Sequence, residues 1–157
     1  MRLLFVSLFS LLFASTVSAD CTTSNISGNY SALFTWEGDG ADGFITGALE
    51  IRSGGGVVLR GARLTYRDGS NLVERVGSAV GRIGVARQCT GFMELSFTDR
   101  DSDSEVGIIN GSIVVSGNRL RPQIDGSAVI DLKDPAPTNV FVYRDLLGRL
   151  TIQKTDF

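Results

Sequence analysis

The sequence predicts an all-β fold, an antiparallel up-and-down barrel of about eight strands, with a two-sheet β-sandwich as the alternative. Three observations carry this expectation. Short runs alternate apolar and polar residues with a period of two, and beyond the first twenty residues no run keeps a helical period for three turns. Turn chemistry separates the runs, as in Ser53-Gly54-Gly55-Gly56, Asp68-Gly69-Ser70-Asn71 and Ser116-Gly117-Asn118; such residues supply the positive φ angles of tight hairpins. Gly is abundant, with 19 in 157 residues. Gly47, Gly61, Gly111 and Gly126 fall inside strand patterns. A sheet that bends strongly enough to close needs residues without side chains at its bends, which favours the barrel over the sandwich.

Taken in order, the first element is not part of the fold. Arg2 precedes the apolar run Leu3 to Phe13, and Val17-Ser18-Ala19 places small residues where a signal peptidase reads them. Residues 1–19 are therefore expected to be a secretory signal peptide cleaved after Ala19, since the run is too short to span a bilayer. Asp20 separates Ala19 from Cys21, which argues against lipidation. The remainder, 20–157, reads as a single secreted or periplasmic domain.

Tyr30-Ala32-Phe34-Trp36 alternates with Ser31, Leu33 and Thr35. Ile45-Gly47-Leu49-Ile51 alternates with Thr46, Ala48 and Glu50. Val58 to Tyr66 carries Arg60 and Arg63 in an apolar background, on opposite faces if the strand is regular. Val80 to Ala86 is the weakest strand signal. Met93-Leu95-Phe97, Ile109-Gly111-Ile113-Val115 and Ile124-Gly126-Ala128-Ile130-Leu132 alternate cleanly with polar or small partners. Pro135 and Pro137 make 133–139 a linker. Val140 to Arg144 and Leu150 to Lys154 read as a last pair of strands around a turn at Leu147-Gly148.

Composition excludes several chemistries. The chain has no His and two Cys, so neither a His-based nucleophile system nor a Cys₄ or Cys₂His₂ zinc site can be built. No metal site and no cofactor are expected. Once Arg2 is removed from the 15 basic residues, 17 acidic ones leave a net charge near −3, which gives no nucleic-acid footprint. Arg outnumbers Lys 13 to 2, a usage expected of a high-GC bacterial genome. Membrane insertion is not expected either. Thr155, Gln153, Thr151 and Arg149 give the last strand a polar face, whereas a membrane barrel needs an outward apolar band on every strand. An even number of Cys in an oxidising compartment reads as a disulfide, Cys21 to Cys89, whose closed loop would stabilise the fold by roughly 4 kcal/mol.

Two short patterns carry a resemblance. Gly28-Asn29-Tyr30 opens the first strand, and Val80-Gly81-Arg82-Ile83-Gly84-Val85 is followed by Gln88-Cys89-Thr90-Gly91. This resembles the Gly-x-Tyr-x-Val…Cys-Thr-Gly strand pair of small exported barrels grouped with the allene oxide cyclase barrel and, more broadly, with calycins such as lipocalins. Ile83 stands where that pattern carries an aromatic residue. The resemblance implies a closed barrel with an apolar interior that binds a small hydrophobic molecule. It also implies, as an alternative, a cofactor-free cyclase or isomerase acting by substrate confinement. No catalytic residue of that group has a match in this chain.

The residues themselves suggest candidate ligand contacts. Phe34, Trp36, Leu95 and Phe97 would line an inward row, and Tyr30, Trp36 and Tyr66 could hydrogen-bond a ligand from a barrel mouth. Arg63 is the candidate inward charge on a strand with two apolar faces. Plain alternation instead sends Glu50, Glu94 and Asp125 to solvent. Asp99-Arg100-Asp101-Ser102-Asp103-Ser104-Glu105 departs from the EF-hand pattern at Ser104 and Asn110 and reads as a solvated acidic hairpin tip. That tip offers a third reading, an exported inhibitor or effector acting through surface loops.

Overall fold

The computed structural model describes residues 21–38, 41–118, 120–135 and 137–155. Residues 1–19, expected to be a signal peptide, the Asp39-Gly40 step and Phe157 lie outside the described residues. A 3₁₀ turn, Thr23–Ile26, precedes eight strands: β1 Gly28–Trp36, β2 Gly43–Ile51, β3 Gly56–Asp68, β4 Asn71–Val85, β5 Thr90–Asp99, β6 Ser104–Gly117, β7 Pro122–Lys133 and β8 Phe141–Lys154. Each pairs antiparallel with the next, and β8 pairs back onto β1, so the sheet closes. Closure leaves no unpaired strand edge. The barrel replaces the sandwich alternative and matches what the calycin resemblance implies at the level of fold.

Alternation decides what lies inside. Tyr30, Ala32, Phe34 and Trp36 point inward and are buried, while Ser31, Leu33 and Thr35 face solvent. The same period buries Met93, Leu95, Phe97 and Asp99 on β5 and Ile124, Ala128, Ile130 and Leu132 on β7. Phe34, Ile45, Leu59, Met93, Phe97 and Ile109 have zero exposed surface, so no water-sized space touches them. The interior is filled by its own side chains, as the inside of an eight-stranded barrel can be.

In-strand glycines set the bends in two ways. Gly61 takes φ +57° at the register shift between Leu59 and Ala62, a β-bulge. At Gly126 a side chain would meet the Ser112 carbonyl oxygen at 2.1 Å, so a glycine there lets β6 approach closely.

Three expectations are corrected. First, Arg60 and Arg63 do not lie on opposite faces. The Gly61 bulge inserts one residue, so Leu59 and Ala62 both point inward and both arginines point out. Second, β4 begins at Asn71, well before Val80, and pairs with β3 from the hairpin turn onward. Third, Leu147-Gly148 is not a turn, because β8 is one continuous strand. A bulge at Asp145, with φ +56°, resets its register, and the Asp131 carboxylate accepts the Asp145 backbone N–H at 2.8 Å.

The two ends differ. At one end Cys21 and Cys89 form the expected disulfide, with Cα atoms 5.0 Å apart. Ile26 of the 3₁₀ turn is buried, and the Tyr30 hydroxyl donates to the Ile26 carbonyl at 2.5 Å. Burial pushes the Tyr30 hydroxyl pKa up to about 12, so it stays neutral as a structural donor. This end is plugged. The opposite rim is built from the ends of β1, β3, β5 and β7 and the starts of β2, β4, β6 and β8.

Candidate functional site: the polar rim of the barrel

The inward rows that are apolar through the core end in polar groups at this rim. Trp36 closes the β1 row. It pairs with Gly43 on one side and Gly148 on the other. A side chain on Gly43 would reach the indole at 2.5 Å, so the two glycines make room for the ring. The indole Nε1–H donates to the Ala41 carbonyl, which fixes the ring in place.

Tyr66 closes the β3 row beside Gly43. Its ring meets Tyr143 of β8 edge-on, with centroids 6.3 Å apart. The Tyr143 hydroxyl donates to Asp68 at 2.7 Å, and that hydrogen bond leads its pKa upward.

Arg75 sits opposite Leu64, a buried inward residue, so its side chain starts inside the barrel wall. Asp99 comes from β5, opposite Gly77, on the same inner face. The Arg75 side chain is 21% exposed and that of Asp99 4%. Their closest approach is 3.9 Å, from Arg75 Nη1 to Asp99 Oδ2, an ion pair too long for a hydrogen bond. Asp99 Oδ2 is already held by its own hairpin. It accepts the Ser102 backbone N–H at 3.1 Å and the Ser102 hydroxyl at 2.7 Å. Arg75 Nε is buried and has no hydrogen-bond partner. Burial pushes the Tyr66 hydroxyl above its ordinary range, and the Arg75 guanidinium, by its charge and then by a hydrogen bond to the Tyr66 side chain, pulls the other way.

The acidic segment is therefore not a uniformly solvated tip. Asp99 turns into the barrel, and Glu105 accepts hydrogen bonds from Lys133 and Ser96. The hydrogen bond from Lys133, then that from the Ser96 hydroxyl, hold the Glu105 carboxyl below its usual range. Asp101 and Asp103 do face solvent. Among the described residues, no three Cys, Asp or Glu side chains converge in the way a metal ion requires.

The predicted contact residues separate into four places. Tyr30 lies at the plugged end with its hydroxyl engaged. Phe34, Leu95 and Phe97 are packed core. Arg63 lies on the outer wall and is exposed. Only Trp36 and Tyr66 reach the rim. The residues missed from sequence are Arg75 and Tyr143, together with the inward turn of Asp99. One signal was present: counting back in steps of two from Ile83 and Ala79 gives Gly77, Arg75 and Val73.

A concavity lies on the outer wall. It is a shallow groove of about 390 Å³ crossing β5 to β8, bounded by Phe92 and Leu147, with Asn110, Ser112 and Ser127 between them. Elsewhere on the wall Glu50 pairs with Arg52 and Arg60, and Glu94 with Arg82, each ion pair at or under 3.2 Å and well exposed. These outward carboxylates sit where alternation places them. Comparison of the chain with family models, curated proteins and solved structures finds no match.

Proposed function

We propose that this chain is an exported, disulfide-stapled barrel that binds a small ligand at its polar rim and not within its interior. Export rests on the leader-like 1–19 and on the Cys21–Cys89 bond, which belongs to an oxidising compartment. The calycin-like assignment rests on the closed barrel and the strand patterns at Gly28 and Cys89. The exposed ion pairs Glu50–Arg60 and Glu94–Arg82 on the outer wall favour water over lipid around it.

The observation that carries the reading is Arg75, an inward guanidinium with a buried, unpartnered Nε–H beside Tyr66 at one end of a filled barrel. A buried donor without an acceptor loses hydrogen-bond energy of about 1–3 kcal/mol, so such a group marks a place where an acceptor is expected. Binding in the interior would require displacing core side chains, and a confinement cyclase would need a chamber that the packed residues do not leave.

A fragment screen read by amide and side-chain NMR tests this. Saturable shifts are expected at the Trp36 indole N–H and at Tyr66, Arg75 and Tyr143. Shifts confined to core methyls such as Ile109 and Ile124 would contradict the proposal in favour of an interior site. A second reading, partner docking on the outer wall, is favoured by Leu147, which is 72% exposed at the edge of the groove. Shifts restricted to Phe92, Ser112 and Leu147 would select it instead.

A further inference from the structure

We propose that the ligand received at the rim is a monoanionic organic carboxylate, held on the Nε edge of Arg75 and by the Tyr66 hydroxyl. This rests on the rim reading above and names the ligand class for it.

The geometry of the guanidinium points to this chemistry. Arginine presents five N–H donors in a planar fork, and its edges can each receive a carboxylate in bidentate fashion. The Nη1 end faces Asp99 at 3.9 Å, which balances charge without supplying a hydrogen bond. The Nε–H is buried and has no acceptor, while the guanidinium also hydrogen-bonds the Tyr66 side chain. Asp99 cannot readily swing onto that edge, because Ser102 holds its Oδ2 through two hydrogen bonds. The arginine is thus electrostatically compensated yet keeps its Nε–H without an acceptor.

The surroundings select the charge and the body of the ligand. Asp99 and Asp68 already stand at the rim, and Asp134 acts on Tyr66 from the loop after β7. A dianion such as phosphate would be repelled by these carboxylates, whereas a single carboxylate can share the Arg75 fork with Asp99. Tyr66 and Tyr143, packed edge to face, offer an aromatic wall to an apolar body attached to that carboxylate.

The test uses the mature protein with benzoate, neutral benzamide and inorganic phosphate as probes. Benzoate is expected to bind saturably, with shifts at Arg75 Nε and Tyr66, and to bind at least about tenfold more tightly than benzamide. Arg75→Gln should weaken benzoate by about tenfold or more. Because that change leaves Asp99 without its counter-charge, Arg75→Lys provides the control: it keeps the charge, removes the fork, and should also weaken benzoate by several-fold. Equal binding of benzoate and benzamide at the rim would overturn the carboxylate inference while leaving the rim site standing. Phosphate binding as tight as benzoate, or unchanged benzoate affinity in both variants, would also overturn it. Absence of any shift at the rim with every probe would overturn both.

Discussion

Replacing Cys21 and Cys89 together with serine is expected to cost about 4 kcal/mol of folding stability. The estimate comes from loop closure. The bond joins residues 68 apart in sequence, and the unfolded chain gains the freedom of that whole loop when the link is cut. The loop contains β1 to β4, half of the strands. Its ends also meet at the plugged end of the barrel, where Cys89 adopts a φ of 63° and its carbonyl accepts the Val115 N–H at 2.7 Å. Equilibrium urea unfolding of wild type and double variant measures the effect. A loss under about 1 kcal/mol would mean that the staple does not hold the barrel together. The whole-protein stability of a domain this size is about 5–15 kcal/mol, so the predicted loss is a large share of it.

Phe34→Ala is expected to cost about 3–5 kcal/mol. Phe34 lies mid-β1 with no exposed surface, between Ile45 of β2 and Leu150 of β8 in the paired register. The magnitude distinguishes a filled barrel from a hollow one. Transfer of the side chain alone accounts for roughly 1.5–3 kcal/mol. The remainder is the cost of a cavity that closed, hydrogen-bonded strands cannot collapse into. In a hollow barrel the ring would already border a void and the second contribution would be small. The cross-strand partners of Phe34 are Ile45 and Leu150, neither of them a disulfide residue, so the two losses should add. Urea unfolding of Phe34→Ala alone and with the serine pair checks both statements.

Strands with an unbroken inward row were legible in the sequence. β1, β2, β5, β6 and β7 each show apolar residues at every second position, and burial of that row follows directly. The disulfide was legible because two Cys in a chain expected to be exported leave one pairing. Three places were not, and each has a local cause. In β3 a bulged glycine shifts the parity, so Arg63 moves from a possible inner face to the outer wall. In β8 the Asp145 bulge does the same, and exposed Val142 and Leu147 add apolar residues to the outer face, which hides the alternation. In β4 the inward row runs Val73, Arg75, Gly77, and neither charge nor glycine looks like core. That last failure concealed the candidate site. An inward arginine breaks the hydrophobic pattern by which strands are recognised, and the same break is what makes the rim chemically distinct.

A filled interior leaves the rim as the proposed place of binding. Xenon tests it most directly, since it enters dry apolar cavities without needing any polar contact. Crystals of wild type under xenon pressure should show no atom inside the barrel, while Phe34→Ala crystals should show one at the vacated ring position. Xenon bound among Phe34, Leu95 and Phe97 in the wild-type protein would contradict a filled interior and restore it as the ligand site.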